Sequence, residues 1–247
     1  MSTKRLRIFA GPNGSGKSTL VKTVTSEYKL HYGYFVNADE IEREFAQAGF
    51  FDFSPCDLEI SQSDLEGFIQ SYDFARVAQF PPWHISENRL FLHESLINSY
   101  HAAVLAEFLR QRLMAAGVTF STETVMSAPQ KLDMMRYARA QGYRVYLYFV
   151  ATESPIINQV RVHNRVKLGG HYVPAEKIHN RYFRSLERLY DAIKLTDRAY
   201  LFDNTQELEW VAEIVNGREL SLKKEDVPNW FIEYIEQKIY QRNLEAT

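Results

Sequence analysis

The nine residues GPNGSGKST, Gly11 to Thr19, follow directly on the short apolar run LRIFA. They fit the pattern GxxxxGK(S/T), with Gly11, Gly16, Lys17 and Ser18 at the required spacing. Each residue type has a physical job there. Glycines let the backbone curl so tightly that successive N–H groups point inward at phosphate oxygens. The lysine reaches the β- and γ-phosphates as a point charge, and the serine hydroxyl can ligate Mg²⁺. A helix starting at this loop aims its positive dipole end at the same anion. Leu6, Ile8 and Ala10 alternate with Arg7 and Phe9 as in a strand, while Leu20, Val21 and Val24 recur at helical spacing. A full match set between strand and helix argues against chance. The pattern nominates Gly11, Asn13, Gly14, Ser15, Gly16, Lys17, Ser18 and Thr19 as nucleotide-binding residues.

Composition narrows the partners. With 29 basic and 31 acidic residues there is no global bias toward nucleic acid or a membrane surface. The single cysteine, Cys56, excludes an internal disulfide and a Cys-rich metal site, and suits a reducing cytosol. The sequence reaches its first strand within a few residues, leaving no room for a signal peptide, and holds no apolar run of membrane-spanning length. These features predict a soluble, cytoplasmic protein with no membrane partner.

Strands and helices alternate along the chain. A second strand is expected to end near Val36 and turn into a helix through Ala48, and a third to run from Val118 to about Thr122. A helix from about Pro129 to Gln141 follows. YRVYLYFVA, Tyr143 to Ala151, is a continuous β-rich run of the kind found in a parallel sheet covered on both faces. After it come a helix from the Ser154-Pro155 start, a break at LGGH, a long helix with Pro174 near its first turn, a fifth strand in AYLFDN and a helix over Gln206–Val215. This order predicts βαβ units and an α/β fold with a mostly parallel, five-stranded sheet.

Two segments fit less well. Residues 51–98 carry Pro55, Gly67, Pro81 and Pro82, no run resembling a core strand, and many acids against only Arg76 and Arg89. They read as an acidic, mainly helical insertion that forms a cap. Phe80, Trp83, Tyr72 and His84 within it could stack on a ring, though packing inside the cap suits most of them better. Residues 217–247 read as a C-terminal helical extension whose stripe of Trp230, Phe231, Tyr234, Ile235 and Ile239 packs on the core.

Several polar residues fall where chemistry is expected. Asp39 follows the second strand, where strand ends of open parallel sheets line a ligand crevice. It could accept a proton from an attacking hydroxyl, help hold Mg²⁺, or simply cap the helix of NADEIERE. Glu123 ends the third strand in FSTETVM, where an acid can reach Mg²⁺ through a water or bind a substrate hydroxyl, with Thr122 and Thr124 beside it. RVHNRVKLGGHYVPAEKIHNRYFRSLERL is the most basic stretch. Arg161 and Arg165 share one helix face, and Arg181, Arg184 and Arg188 make a second stripe. Joined by a turn with Gly169 and Gly170, these faces suit a lid closing over phosphates, with His171 in the turn. Few base-stacking residues interleave them, which argues against a nucleic-acid patch.

Taken together, GPNGSGKST, FVNADEI, FSTETVMS, GYRVYLYFV, RVHNRVKLGGHYVP with RYFRSL, and LFDNT make the chain resemble the zeta-toxin family of P-loop kinases. The resemblance implies a single kinase-type P-loop domain over 1–247, a three-layer sandwich with an arginine-bearing lid. It implies ATP and Mg²⁺ bound through Lys17 and Ser18, and Asp39 as the general base for an acceptor hydroxyl. Glu123 and Thr124 would seat the acceptor, and Arg165 and Arg181 are the first candidates to stabilise transfer, with Arg161 and Arg184 the next; His171 could contact phosphate or merely sit in the turn. Asp203 and Asn204 would lie near the nucleotide base or close the strand end. The best-known members phosphorylate UDP-N-acetylglucosamine and are neutralised by an antitoxin, so a small-molecule acceptor and an antitoxin protein are the implied partners. The competing expectation is an NTP-hydrolysing switch, weakened by the absence of an NKxD motif.

Overall fold

The computed structural model describes residues 3–72, 83–92, 97–170 and 172–245. In chain order the strands are β1 (Arg5–Ala10), β2 (Tyr34–Val36), β3 (Phe50–Asp52), β4 (Trp83–Ser86), β5 (Arg89–Leu92), β6 (Phe120–Thr124), β7 (Arg144–Ala151), β8 (Arg198–Asp203), β9 (Glu209–Val215) and β10 (Glu219–Leu222). The helices are α1 (Lys17–Tyr28), α2 (Ala38–Ala48), α3 (Gln62–Ser71), α4 (Ser99–Ala115), α5 (Gln130–Ala140), α6 (Pro155–Lys167), α7 (Ala175–Lys194), α8 (Asn229–Phe231) and α9 (Gln237–Glu245). The last two are joined by a π-helical turn, Ile232–Glu236. Two compact units divide the chain: Met1–His31 with Glu123–Thr247, and Tyr32–Thr122.

In the first unit β1, β7 and β8 pair in parallel, with Ile8 opposite Leu147 and Leu147 opposite Ala199. Leu6, Ile8, Phe149 and Leu201 are fully buried, as expected of parallel strands covered on both faces. The expected helix over Gln206–Val215 is not formed. That segment is β9, antiparallel to β8, and β10 pairs with it in turn. The five expected strands are present, and this hairpin adds two more. Its turn holds Asn216 and Gly217, both at positive φ (52° and 65°). An Asn-Gly pair is a strong hairpin signal, and its weight exceeds that of the helix-like spacing before it. The C-terminal extension therefore opens with a strand, and its helical part starts at Asn229. Trp230, Phe231 and Ile235 of the expected stripe are buried.

Helix α7 owes its place to an amphipathic repeat: Ile178, Tyr182, Leu186, Leu189 and Ile193 are buried at spacings of three and four. Two side-chain bonds fix its register. Tyr182 Oη donates to Thr152 O at 2.6 Å, and Ser185 Oγ to Val125 O at 2.7 Å. Val162 of α6 packs with Val173 and Ile178, with Val166 against them, so α6 and α7 form a packed helical pair. No helix among the described residues is long and apolar enough to cross a membrane.

In the second unit β2 and β6 pair in parallel, Val36 opposite Thr122. Buried Arg110 of α4 donates to Thr122 Oγ1 at 3.2 Å, and that hydroxyl donates to Val36 O at 3.0 Å. Val36 and Thr122 are thus locked side by side. Glu107 balances the buried guanidinium at 2.7 Å. The described part of 51–98 is not mainly helical. It holds a 3₁₀ helix at Ser54–Cys56, one α-helix, α3, started by a Ser61–Asp64 capping box, and a three-stranded antiparallel sheet, β3-β5-β4. The β4–β5 turn places Glu87 and Asn88 at φ 48° and 59°, a geometry usually signalled by glycine. Asn88 stabilises it by accepting from Ile60 N and donating to Leu58 O, at 2.9 and 2.7 Å. Trp83 is buried and Tyr72 stacks on Phe68, so these aromatics pack internally; Phe80 lies outside the described residues.

Cys56 belongs to this unit's core. It is 1 % exposed, and burial pushes its thiol up to about 11, with the Tyr34 hydroxyl hydrogen-bonded to it. Only the thiolate reacts, so at pH 8 the native protein should label with a thiol reagent about two orders of magnitude more slowly than the unfolded chain. Rapid labelling of native protein, followed by absorbance, would contradict the burial described.

Candidate functional site

The site grows from the end of β1. Gly11, Gly14 and Gly16 sit at φ 149°, 81° and 102°, a region that side chains rarely tolerate. Space forbids substitution as well. A Cβ at Gly11 would overlap Val150 O, one at Gly14 would lie 2.5 Å from Asn158 O, and one at Gly16 would overlap Asn204 Nδ2. Gly16 is also the N-cap of α1 and supplies no side-chain cap, so the first-turn amides of this 12-residue helix are left to a ligand. The Ser15 hydroxyl is buried and has no hydrogen-bond partner among the described residues. A tight glycine cradle, an uncapped helix start and an orphaned hydroxyl together fit an oxyanion-rich ligand such as a nucleotide phosphate tail.

Around this loop lies a pocket of about 320 Å³, lined by Gly14, Gly16, Lys17, Ser18, Thr19, Glu123, Arg161, Val162, Arg165 and Asn204. Lys17 is 8 % exposed; its Nζ donates to Gly11 O and Pro12 O, both at 3.1 Å, and stands 3.7 Å from Glu123 Oε1. The Ser18 hydroxyl is exposed at the same wall. Ser18 and Glu123 offer the hard oxygen donors Mg²⁺ prefers. No cluster of three or more acidic, His or Cys side chains able to hold a metal exists among the described residues, so the remaining ligands would come from phosphate and water.

The lid arginines separate into distinct positions. Arg165 lines the pocket and is exposed. The turn after it is built around it: a Cβ at Gly170 would lie 2.7 Å from Arg165 Cγ, and Gly170 N donates to Arg165 O at 3.0 Å. Gly169 sits at φ 85°. The glycine pair expected as a hinge thus has a local packing reason. Arg161 lines the pocket too, but donates to Asn204 O at 2.6 Å and Thr205 O at 3.1 Å. Arg181 does not line the pocket; its guanidinium reaches Asn13 Oδ1 at 3.4 Å. Arg184 is exposed and outside the pocket lining. Thr124 Oγ1 accepts from Met126 N at 3.1 Å in a turn, and does not line the pocket. His171 lies outside the described residues.

Asp39 belongs to the other unit and is exposed on the first turn of α2. The cap of that helix is Asn37, whose side chain accepts from Asp39 N at 2.9 Å. One of the alternatives open at the sequence level, Asp39 as the cap, is thereby removed. The link from Trp230 to Asp203, at 2.8 Å, was not expected. Trp230 read only as part of an apolar stripe.

The mostly parallel sheet, the phosphate loop between β1 and α1, and the flanking helices define a P-loop α/β fold of the kinase type. The resemblance to zeta toxins holds: the family's model, Zeta toxin, matches residues 93–210. No curated protein is significantly similar in sequence. Among solved structures, a chain of the AvrRxo1-ORF1:AvrRxo1-ORF2 complex with sulphate ions superposes with a TM-score of 0.55 at 16 % identity, over 94 % of this chain and 63 % of that one. The same complex with ATP gives 0.53 at 14 %, over 90 % and 61 %. A chain of the PezAT chromosomal toxin–antitoxin system of Streptococcus pneumoniae gives 0.52 at 13 %, over 99 % and 86 %. This chain therefore spans less than two thirds of the AvrRxo1 chains. At such identities the likeness is one of fold.

Proposed function

We propose that the protein is an ATP-dependent kinase that transfers the γ-phosphoryl group to a hydroxyl of a small-molecule acceptor. The observation that carries this is the convergence of Lys17, Ser18, Glu123, Arg161 and Arg165 on one pocket at the start of α1. A cation, a hydroxyl, an acid and two guanidiniums around uncapped helix amides are the groups phosphoryl transfer needs for positioning and charge stabilisation. Asp39 accepts the proton of the acceptor hydroxyl as the new O–P bond forms. The bond from Pγ to the bridging oxygen breaks, and its electron pair leaves with ADP. Lys17 holds the β- and γ-phosphates, and Arg165, with Arg181 above Asn13, meets charge developing on the transferred group. Ser18, with Glu123 nearby, would hold Mg²⁺, which would neutralise phosphate charge when bound.

A nucleotide-activated sugar such as UDP-N-acetylglucosamine is the acceptor the zeta-toxin resemblance favours, and an antitoxin-like protein is the partner it favours. The acidic segment 51–98 acts in this reading as a selectivity cap, disfavouring highly anionic acceptors. The test is mass spectrometry of a metabolite extract incubated with protein and ATP·Mg²⁺. A compound gaining one phosphate is the expected result, and UDP-N-acetylglucosamine is the first compound to inspect. ATP consumption with no phosphorylated product would replace the kinase by a hydrolase.

The arginines give a sharper expectation. Arg165→Ala and Arg181→Ala should each lower kcat by about 10- to 1,000-fold while changing the Kd for ATP much less, because they act on charge that appears during transfer. Steady-state kinetics and calorimetry separate the two quantities. Equal losses in both would make these residues plain phosphate anchors.

A further inference from the structure

The strand end that borders the nucleotide pocket is held on every side. Asp203, 7 % exposed, accepts from Trp230 Nε1 at 2.8 Å, from Thr205 N at 2.9 Å and from Thr205 Oγ1 at 3.0 Å. Thr205 Oγ1 also accepts from Glu153 N at 2.9 Å. Asn204 N donates to Ala151 O at 2.8 Å, and Arg161 clamps the carbonyls of Asn204 and Thr205. With its main chain fixed in this way, Asn204 turns its side chain to the phosphate loop, where Nδ2 donates to Ser15 O at 2.8 Å.

That carbonyl belongs to the peptide whose N–H is Gly16's. A trans peptide is planar, so holding the oxygen in one direction sends the N–H in the other. A loop of glycines at positive φ has little of its own to prevent such a peptide from flipping, and a flip would present an oxygen where an anion needs a donor. Gly16 must be glycine partly for this contact, since a Cβ there would overlap Asn204 Nδ2.

We propose that Asn204 is a positioning residue of the nucleotide site. It sets the Ser15–Gly16 peptide so that the loop's amides serve the phosphates, while Arg161 and the Trp230–Asp203 bond hold Asn204 in place. Arg161, which also lines the pocket, is then first a clamp on this strand end. The inference rests on the nucleotide reading given above, and its test does not require turnover.

Calorimetric titration of the full-length protein with ATP·Mg²⁺ is compared with thermal unfolding for N204A, N204D and T205V. N204A should weaken ATP binding about 5- to 10-fold, the worth of one hydrogen bond. N204D should weaken it further, because a carboxylate would face the Ser15 carbonyl. T205V removes two bonds that help hold this segment but leaves the Asn204–Ser15 bond itself, so Tm should fall while the Kd rises less than in N204A. If N204A binds ATP as the wild type does, or if T205V loses as much affinity as N204A at equal loss of Tm, Asn204 has no positioning role. A wild-type protein that fails to bind ATP would instead overturn the nucleotide reading itself.

Discussion

Lys17→Ala should abolish phosphoryl transfer and weaken ATP binding by about 10- to 150-fold, the range for a charge-assisted hydrogen bond. In the structure the ammonium is nearly buried, spans the loop by bonding Gly11 O and Pro12 O, and lies 3.7 Å from Glu123. Its removal takes away the loop's own cation and leaves the Glu123 carboxylate, only 17 % exposed, facing the phosphates. Repulsion between the two anions adds to the lost attraction. Lys17→Ala/Glu123→Gln should therefore recover part of the binding but none of the turnover. Calorimetry and an ADP-release assay check both halves. Undiminished turnover in Lys17→Ala would remove the basis of the kinase proposal.

Asp39→Asn should leave the Kd for ATP near the wild-type value and lower kcat by about 100- to 10,000-fold, the contribution of a positioned general base. The fold makes this substitution unusually clean. Asn37, not Asp39, caps α2, and Asp39 is exposed on the first turn, where a negative charge is favoured by the helix dipole. Loss of that interaction is worth less than about 1 kcal/mol, so Tm should hardly move. Asn37→Ala is the matching control, predicted to cost about 1 kcal/mol of stability. If Asp39→Asn retains its rate, the general base lies elsewhere.

Much of the site was legible because its chemistry is local. The spacing of Gly11, Gly16, Lys17 and Ser18 states a backbone path and a ligand class within nine residues, and the flanking apolar runs state the strand and helix that support it. Glu123 was legible as a strand-end acid, and Arg161 and Arg165 as one helix face. Less legible were elements whose conformation is decided by pairing. Over Gln206–Val215 the apolar spacing allows a helix, yet the segment can pair with β8, and the Asn216–Gly217 turn returns the chain for β10. The same holds for β3, β4 and β5, which are too short to stand alone and exist through one another.

The division between Arg161 and Arg165 is the plainest case of what only the tertiary structure decides. Four residues apart on one helix, they carry the same charge, and the end of β8 takes two donors of Arg161. The resemblance sets Asn204 near the nucleotide base or at the strand end, but only the fold brings its side chain to Ser15 O, 2.8 Å away across 189 residues. The sequence by itself determined the phosphate loop and the α/β alternation, because those follow from contacts between neighbours along the chain. That Arg161 clamps the strand end, and what holds the loop's peptides in place, depend on contacts between residues far apart in the chain, and packing alone brings those together.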